Sequence, residues 1–145
     1  RTVGLTNSLF GLTLVYAALN LPFLTWILMG FFEGIPVDLE WAAMTDGATA
    51  WGAFWHVVLP VSLPGLAASA VLGFILSWNE FLFALVLSGP ETATVPVSLA
   101  ALQTSNGVQI GKVSAGIVLA VLPLMVASHF IQRYIVKGLT FGGVK

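Results

Sequence analysis

Hydrophobic positions along this chain gather into three long blocks separated by shorter polar stretches. The first runs from about Leu9 to Phe32 with no charged residue before Glu33, the second from about Leu63 to Leu87, and the third from about Val113 to Val136. Each is long enough to cross about 30 Å of hydrocarbon as a helix of roughly 20 residues. The pattern predicts an all-α integral membrane helical bundle: three transmembrane helices, a central loop over 36–60, an outer loop over 88–112 and a tail over 137–145. Pro22 and Pro123 fall inside the first and third blocks, where each removes a backbone hydrogen bond and kinks its helix unless neighbours re-satisfy the freed groups. Gly11, Ala17 and Ala18 are candidates for a close-packed face.

The polar interruption between the first two blocks, PVDLEWAAMTDGATAWGAFWHVVLPVSLP from Pro36 to Pro64, brings together Asp38, Glu40 and Asp46 among small residues. Pro36 belongs at or just before a helix start, and Asp38 suits the N-cap. Leu39 to Thr45 then makes about two turns, with Ala42 and Asp46 on one face and Glu40, Ala43 and Gly47 on another. Gly47 ends this helix as a C-cap. Thr49 caps a second short helix through Ala50, Phe54 and Val58, which Pro60 and Pro64 close before the next apolar run. The expected product is a helix, a turn and a helix, flat enough at Ala42, Ala43 and Gly47 for a partner to approach closely. An amphipathic hairpin lying in the membrane interface fits the same pattern.

Composition supports the membrane reading. Of 145 residues 58% are hydrophobic and 8% charged, which no water-soluble domain of this size requires. The absence of cysteine removes disulfides and thiolate metal sites, and a formal net charge of -1 gives no basis for nucleic-acid binding. Arg1 in place of a methionine, followed at once by an apolar block, reads as a fragment lacking an N-terminal part. Arg133 at the end of the third block and Lys137 and Lys145 after it outnumber Arg1 and Lys112 on the opposite side, a bias that puts the C-terminus and the central loop in the cytoplasm.

Within the second block, Ser77, Asn79 and Glu80 lie in otherwise apolar surroundings. Polar groups at membrane depth cost several kcal/mol unless they face protein or water, roughly the penalty for an unpaired buried group. They therefore either line a pathway or hydrogen-bond to neighbouring helices. His56 reads as interfacial and His129 as a tolerated helix residue. Pro96 to Leu102 suits a short helix in the outer loop, among Thr92, Thr94, Gln103, Ser105, Asn106 and Gln109.

Taken in order, the central loop, Trp78-Asn79-Glu80-Phe81 and the tail Gly138-Leu-Thr-Phe-Gly-Gly-Val-Lys145 resemble the membrane subunits of binding-protein-dependent ABC importers, in particular the carbohydrate (maltose permease-like) branch. The family signature is Glu-Ala-Ala, three residues, Gly, nine residues, then an aliphatic residue, any residue and Leu-Pro. Ala42, Ala43, Gly47, Val57, Leu59 and Pro60 stand at those spacings, with Asp46 before the glycine; Trp41 occupies the glutamate position, and Glu40 precedes it.

The resemblance covers nearly the whole chain and corresponds to the C-terminal half of a six-span permease. It implies a prokaryotic inner-membrane location and separate ABC ATPase subunits contacted by Glu40, Trp41, Ala42, Ala43, Asp46 and Gly47. It also implies a second permease subunit, identical or different, and an extracytoplasmic solute-binding protein. The implied cargo is a sugar, with Ser77, Asn79 and Glu80 near the translocation path. No phosphate-binding Gly-x-x-x-x-Gly-Lys-Ser/Thr loop is present, so ATP hydrolysis belongs to another polypeptide, and no catalytic residue, metal site or cofactor is expected. Three other readings remain: a permease for amino acids or peptides; a passive channel or structural subunit; and an enzyme, for which Glu80, His56 and His129 would have to converge from different depths.

Overall fold

The computed structural model describes residues 5–104, 107–108 and 110–142, giving only the course of the backbone for 103–104, 107–108, 131 and 133–142. Arg1, Ser105, Asn106, Gln109 and Lys145 lie outside the described residues, as do the side chains of Gln103, Arg133 and Lys137. The elements are α1 (Leu9–Glu33), α2 (Val37–Thr45), α3 (Ala50–Ala53), a π turn (Phe54–Val58), α4 (Leu59–Asn79), α5 (Leu82–Leu87), α6 (Val95–Ala101), β1 (Gln103–Thr104), β2 (Gly107–Val108) and α7 (Ile110–Gly142). The architecture is all-helical apart from the short antiparallel β1–β2 pair, with Gln103 opposite Val108 and Thr104 opposite Gly107. Three helical stretches have the length and hydropathy to cross a membrane: Leu9–Glu33, Ala50–Asn79 and Ile110–Phe130.

The buried apolar residues are small for the most part: Leu12, Ala53, Ala68, Ala84 and Ala127. Large side chains such as Phe10, Trp26, Leu82, Leu119 and Met125 are exposed. This inversion suits lipid, where helix association comes from close packing of small residues because lipid tails are as apolar as leucine.

Helix α4 lies between α1 and α7. Its face toward α1 carries Gly65, Ser69, Gly73 and Ser77 at intervals of four, so the backbones come close. A Cβ on Gly65 would stand 2.5 Å from Phe31 Cγ, and one on Gly73 would stand 2.8 Å from Leu24 Cδ1. One turn further, Asn20 Nδ2 donates to Ser77 Oγ at 3.0 Å. The three contacts keep one antiparallel register along α1 and α4. At the far end of the pair, the Asn7 amide donates to Leu87 O at 2.7 Å. Asn7 takes a left-handed φ of 52° there, and its side-chain oxygen accepts from Thr92 Oγ1 at 3.0 Å. Toward α7, Trp78 Nε1 donates to Ala120 O at 3.1 Å.

The structure departs from the sequence expectations at several points. Pro36 (φ -60°, ψ 125°) is the N-cap of α2, so Asp38 lies in the first turn instead. The second helix of the loop does not close at Pro60 and Pro64. The chain stays helical from Ala50 to Asn79, and the π turn over Phe54–Val58 redistributes the hydrogen bonds ahead of the first proline: Leu59 N–H reaches back five residues to Phe54 O. The second apolar block is not one helix either, for α4 ends at Asn79 and α5 begins at Leu82, with Glu80 extended between them at ψ 127°. Helix α7 starts at Ile110, three residues before the expected Val113, and its backbone stays helical to Gly142, into the segment read as a tail.

Candidate functional site

Helix α2 and the start of α3 form a helical hairpin whose turn is held by backbone hydrogen bonds. Gly47 adopts φ 93°, the left-handed region that a side chain disfavours. Ala48 N–H then reaches Ala43 O at 3.0 Å and Gly47 N–H reaches Met44 O at 3.1 Å, the paired bonds of a Schellman motif that satisfy the last carbonyls of α2. Thr49 caps the next helix, its Oγ1 accepting from Gly52 N–H at 3.1 Å. These bonds pin the two helices together at the tip.

No residue of α2 is buried. Trp41, Ala42, Thr45 and Asp46 are exposed, while Glu40 and Ala43 are half-buried on the side toward α3 and the π turn. Of the six expected coupling residues, Trp41, Ala42, Asp46 and Gly47 are therefore open to a partner, with Glu40 and Ala43 partly covered. Asp38 and Glu40 sit in the first turn, where the helix dipole favours a negative charge. Asp46 sits at the C-terminal end, where the dipole disfavours one, so its position does not derive from helix stability.

The second group of expected residues divides by role. Ser77 Oγ is held by Asn20 of α1. Asn79 Nδ2 donates to Ile75 O of its own helix at 2.8 Å and the residue is exposed, so its side chain makes no hydrogen bond to a neighbouring helix among the described residues. Glu80 serves the helix break: its carboxylate oxygens accept from Phe83 N–H at 2.8 Å and Ala84 N–H at 3.0 Å, two of the amides that α5 leaves free at its start. The Tyr16 hydroxyl, buried on α1, faces the same carboxylate without a hydrogen bond of ordinary geometry.

The sequence reading missed Tyr16 and Asn20. Their spacing of four, matched by the spacing of three between Ser77 near the end of α4 and Glu80 just beyond it, was the available signal. Asn79 also lines a cavity of about 200 Å³ with Trp78, Pro96 and Leu99, walled by Ile117, Ala120 and Leu124. His56 Nδ1–H donates to Gly52 O at 2.9 Å, and His129 packs edge-on against Phe130. Among the described residues, no cluster of histidines and acids is arranged to hold a metal ion.

The Glu80 geometry gives a direct prediction. Replacing Glu80 with Ala removes a charge-assisted cap and is expected to lower the stability of the purified protein by about 1–2 kcal/mol, whereas Glu80→Gln, which keeps an acceptor, loses about half of that. Thermal unfolding in detergent measures both.

Three membrane-length helices packed through small residues, with an exposed helical hairpin between the first two, define a polytopic membrane protein. Residues 3–141 match the family described as binding-protein-dependent transport system inner membrane component, and the chain belongs to that family. It is 41% identical over 148 residues to the trehalose transport system permease protein SugB of Mycobacterium tuberculosis, covering 100% of this chain and 54% of that protein. To the sulfoquinovosyl glycerol transport system permease protein SmoH of Agrobacterium fabrum it is 40% identical over 146 residues, covering 100% and 51%. It is also 40% identical over 145 residues to the trehalose/maltose transport system permease protein MalG of Thermococcus litoralis, covering 99% and 52%. The chain spans about half the length of these curated relatives.

Proposed function

We propose that this chain is part of the permease subunit of an ATP-driven ABC importer in a prokaryotic inner membrane, and that its cargo is a sugar or oligosaccharide. The observation that carries this reading is the hairpin: an α2 with no buried residue, terminated at Gly47 and continuous through α3 with a helix of membrane-spanning length. Family membership supports the transport role, and the sugars and glycosides named for SugB, SmoH and MalG support the cargo.

In this mechanism α2 docks with Glu40, Trp41, Ala42, Ala43, Asp46 and Gly47 on a separate ATPase subunit, with the hairpin and the C-terminus in the cytoplasm. Closure of the ATPase on nucleotide pulls the hairpin, and the unbroken helix from Ala50 passes that movement along α4 to Ser77–Glu80. Coupling requires that the ATPase hold α2 differently in its two states, since equal binding to both shifts nothing. A second permease subunit completes the pathway, and an extracytoplasmic solute-binding protein delivers the cargo. Asn79, exposed beside its cavity, is the member of the Ser77–Glu80 group that faces the path, while Ser77 and Glu80 hold the helices around it.

Uptake by the complete assembly in proteoliposomes tests this reading. Transport is expected to stop when nucleotide hydrolysis is blocked with vanadate. Continued downhill flux under the block would identify a passive channel instead.

A further inference from the structure

The break between α4 and α5 leaves those two helices joined by little more than the chain itself. Glu80 is extended at ψ 127°, and Phe81 lies at φ -121° and ψ -41°. The Glu80 amide reaches Ser77 O at 3.4 Å, but among the described residues no α5 amide reaches a carbonyl of α4, and the Glu80 carboxylate bonds forward to Phe83 and Ala84. Two residues outside any helical ladder leave soft torsions about which the helices would pivot. Helix α5 packs instead against α1, and its Ala84 is fully buried. We propose that α1 is a splint across this break, so that displacement arriving along α4 reaches α5 and the chain after it through α1, with Asn7 as the residue that positions the far end. The proposal rests on the reading given above and adds the route the movement takes beyond Asn79.

Three observations support α1 as the carrier. The first is continuity. Helix α1 runs unbroken from Leu9 to Glu33, and Pro22, its weak point, falls between Leu24 and Asn20, both of which contact α4. The second is alignment. Phe31 against Gly65, Leu24 against Gly73 and Asn20 against Ser77 lie on the α4 side, Tyr16 faces Glu80 at the break, and Asn7 meets Leu87 beyond it, all in one antiparallel line. Close-packed contacts of this kind are nearly incompressible and transmit strain. The third is the clamp at the far end. The Asn7 amide donates to Leu87 O at 2.7 Å, while Thr92 Oγ1 accepts from Gly89 N–H at 3.0 Å and donates to Asn7 Oδ1 at 3.0 Å. A Cβ on Gly89 would stand 2.5 Å from Asn7 Cγ, so the two segments touch. Asparagine meets both demands of this position, a left-handed φ of 52° and a side-chain acceptor.

The test uses the full-length permease, otherwise free of cysteine, in its complete assembly in proteoliposomes. Spin labels at the exposed Val61 and Val86 straddle the break, and labels at Val61 and the exposed Leu19 lie on its α4 side. Both pairs are expected to keep the same distance in nucleotide-free and vanadate-trapped states. The double variant Asn7→Ala/Thr92→Val is expected to broaden the Val61–Val86 distribution alone and to lower uptake per ATP hydrolysed at least about threefold. A Val61–Val86 distance that changes between the two states in the unaltered permease overturns the proposal, because the break would then be a hinge. So does a double variant that keeps both the narrow distribution and full coupling. If the double variant does not fold, Thr92→Val alone, which replaces one hydroxyl at nearly constant volume, is expected to give a smaller broadening, and none overturns the proposal. The underlying reading fails separately, by uptake in the unaltered assembly that continues when hydrolysis is blocked; the label distances without nucleotide, in the unaltered permease and the variant, then still decide for or against the splint.

Discussion

Replacing Gly47 with valine is expected to lower ATP-driven uptake at least about tenfold while leaving membrane insertion intact. A Cβ at Gly47 meets no atom within 4 Å, so the substitution causes no clash. The cost lies in the backbone. Gly47 holds φ 93°, and a β-branched residue there is strained by roughly 2 kcal/mol, which lowers the population of this turn about thirtyfold relative to any relaxed alternative. The Schellman bonds from Ala48 to Ala43 and from Gly47 to Met44 depend on that φ, and so does the angle at which α2 meets α3. Gly47→Asn serves as the control, since asparagine visits the left-handed region more readily and should retain much of the uptake. ATP hydrolysis that continues in Gly47→Val without transport would identify the defect as one of coupling. Normal uptake in that variant would count against the hairpin as the coupling element.

The second large effect concerns the seam between α1 and α4. Gly65→Val is expected to destabilise the protein by about 1–3 kcal/mol or to prevent its accumulation, because the new Cβ would fall 2.5 Å from Phe31 Cγ and 2.7 Å from Phe31 Cδ1. A backbone in the middle of two packed helices cannot shift without disturbing the Leu24–Gly73 and Asn20–Ser77 contacts in the same register. The diagnostic result is rescue. Phe31→Ala removes the ring that the new side chain meets, so the double variant should recover much of the stability lost in Gly65→Val. Thermal unfolding of the four proteins closes a double-mutant cycle, and strict additivity would show that these residues do not touch.

Much of this architecture was legible in the sequence because its signals are local. The three apolar blocks, Gly47 as a helix stop and Thr49 as a helix start each follow from the length of a run or the chemistry of one residue. Features that depend on pairs of helices were not read. Gly65, Ser69, Gly73 and Ser77 were visible at intervals of four, but only the register against Phe31, Leu24 and Asn20 shows what they admit. Asn20 and Tyr16 look unremarkable in the first block until Ser77 and Glu80 are placed opposite them.

The break at Glu80 was missed for a different reason. No proline or glycine marks it, and a carboxylate in an apolar run suggests a pathway group as readily as a cap for a new helix. Pro60 and Pro64 misled in the opposite direction. Proline usually closes a helix, but here the π turn over Phe54–Val58 reorganises the hydrogen bonds before Pro60, and the helix continues. That continuity is mechanically useful, because an unbroken rod from Ala50 to Asn79 transmits displacement where two jointed helices would absorb it.

The central claim is that the exposed face of α2 is held by a nucleotide-driven motor. These 145 residues contain no cysteine, so a single cysteine introduced at the exposed Ala42 of a full-length permease otherwise free of cysteine gives one site for crosslinking in intact membranes. The account predicts capture of the ATPase subunit, with a yield that changes between nucleotide-free and ATP-trapped states. A cysteine there that captures no ATPase in either state would contradict it.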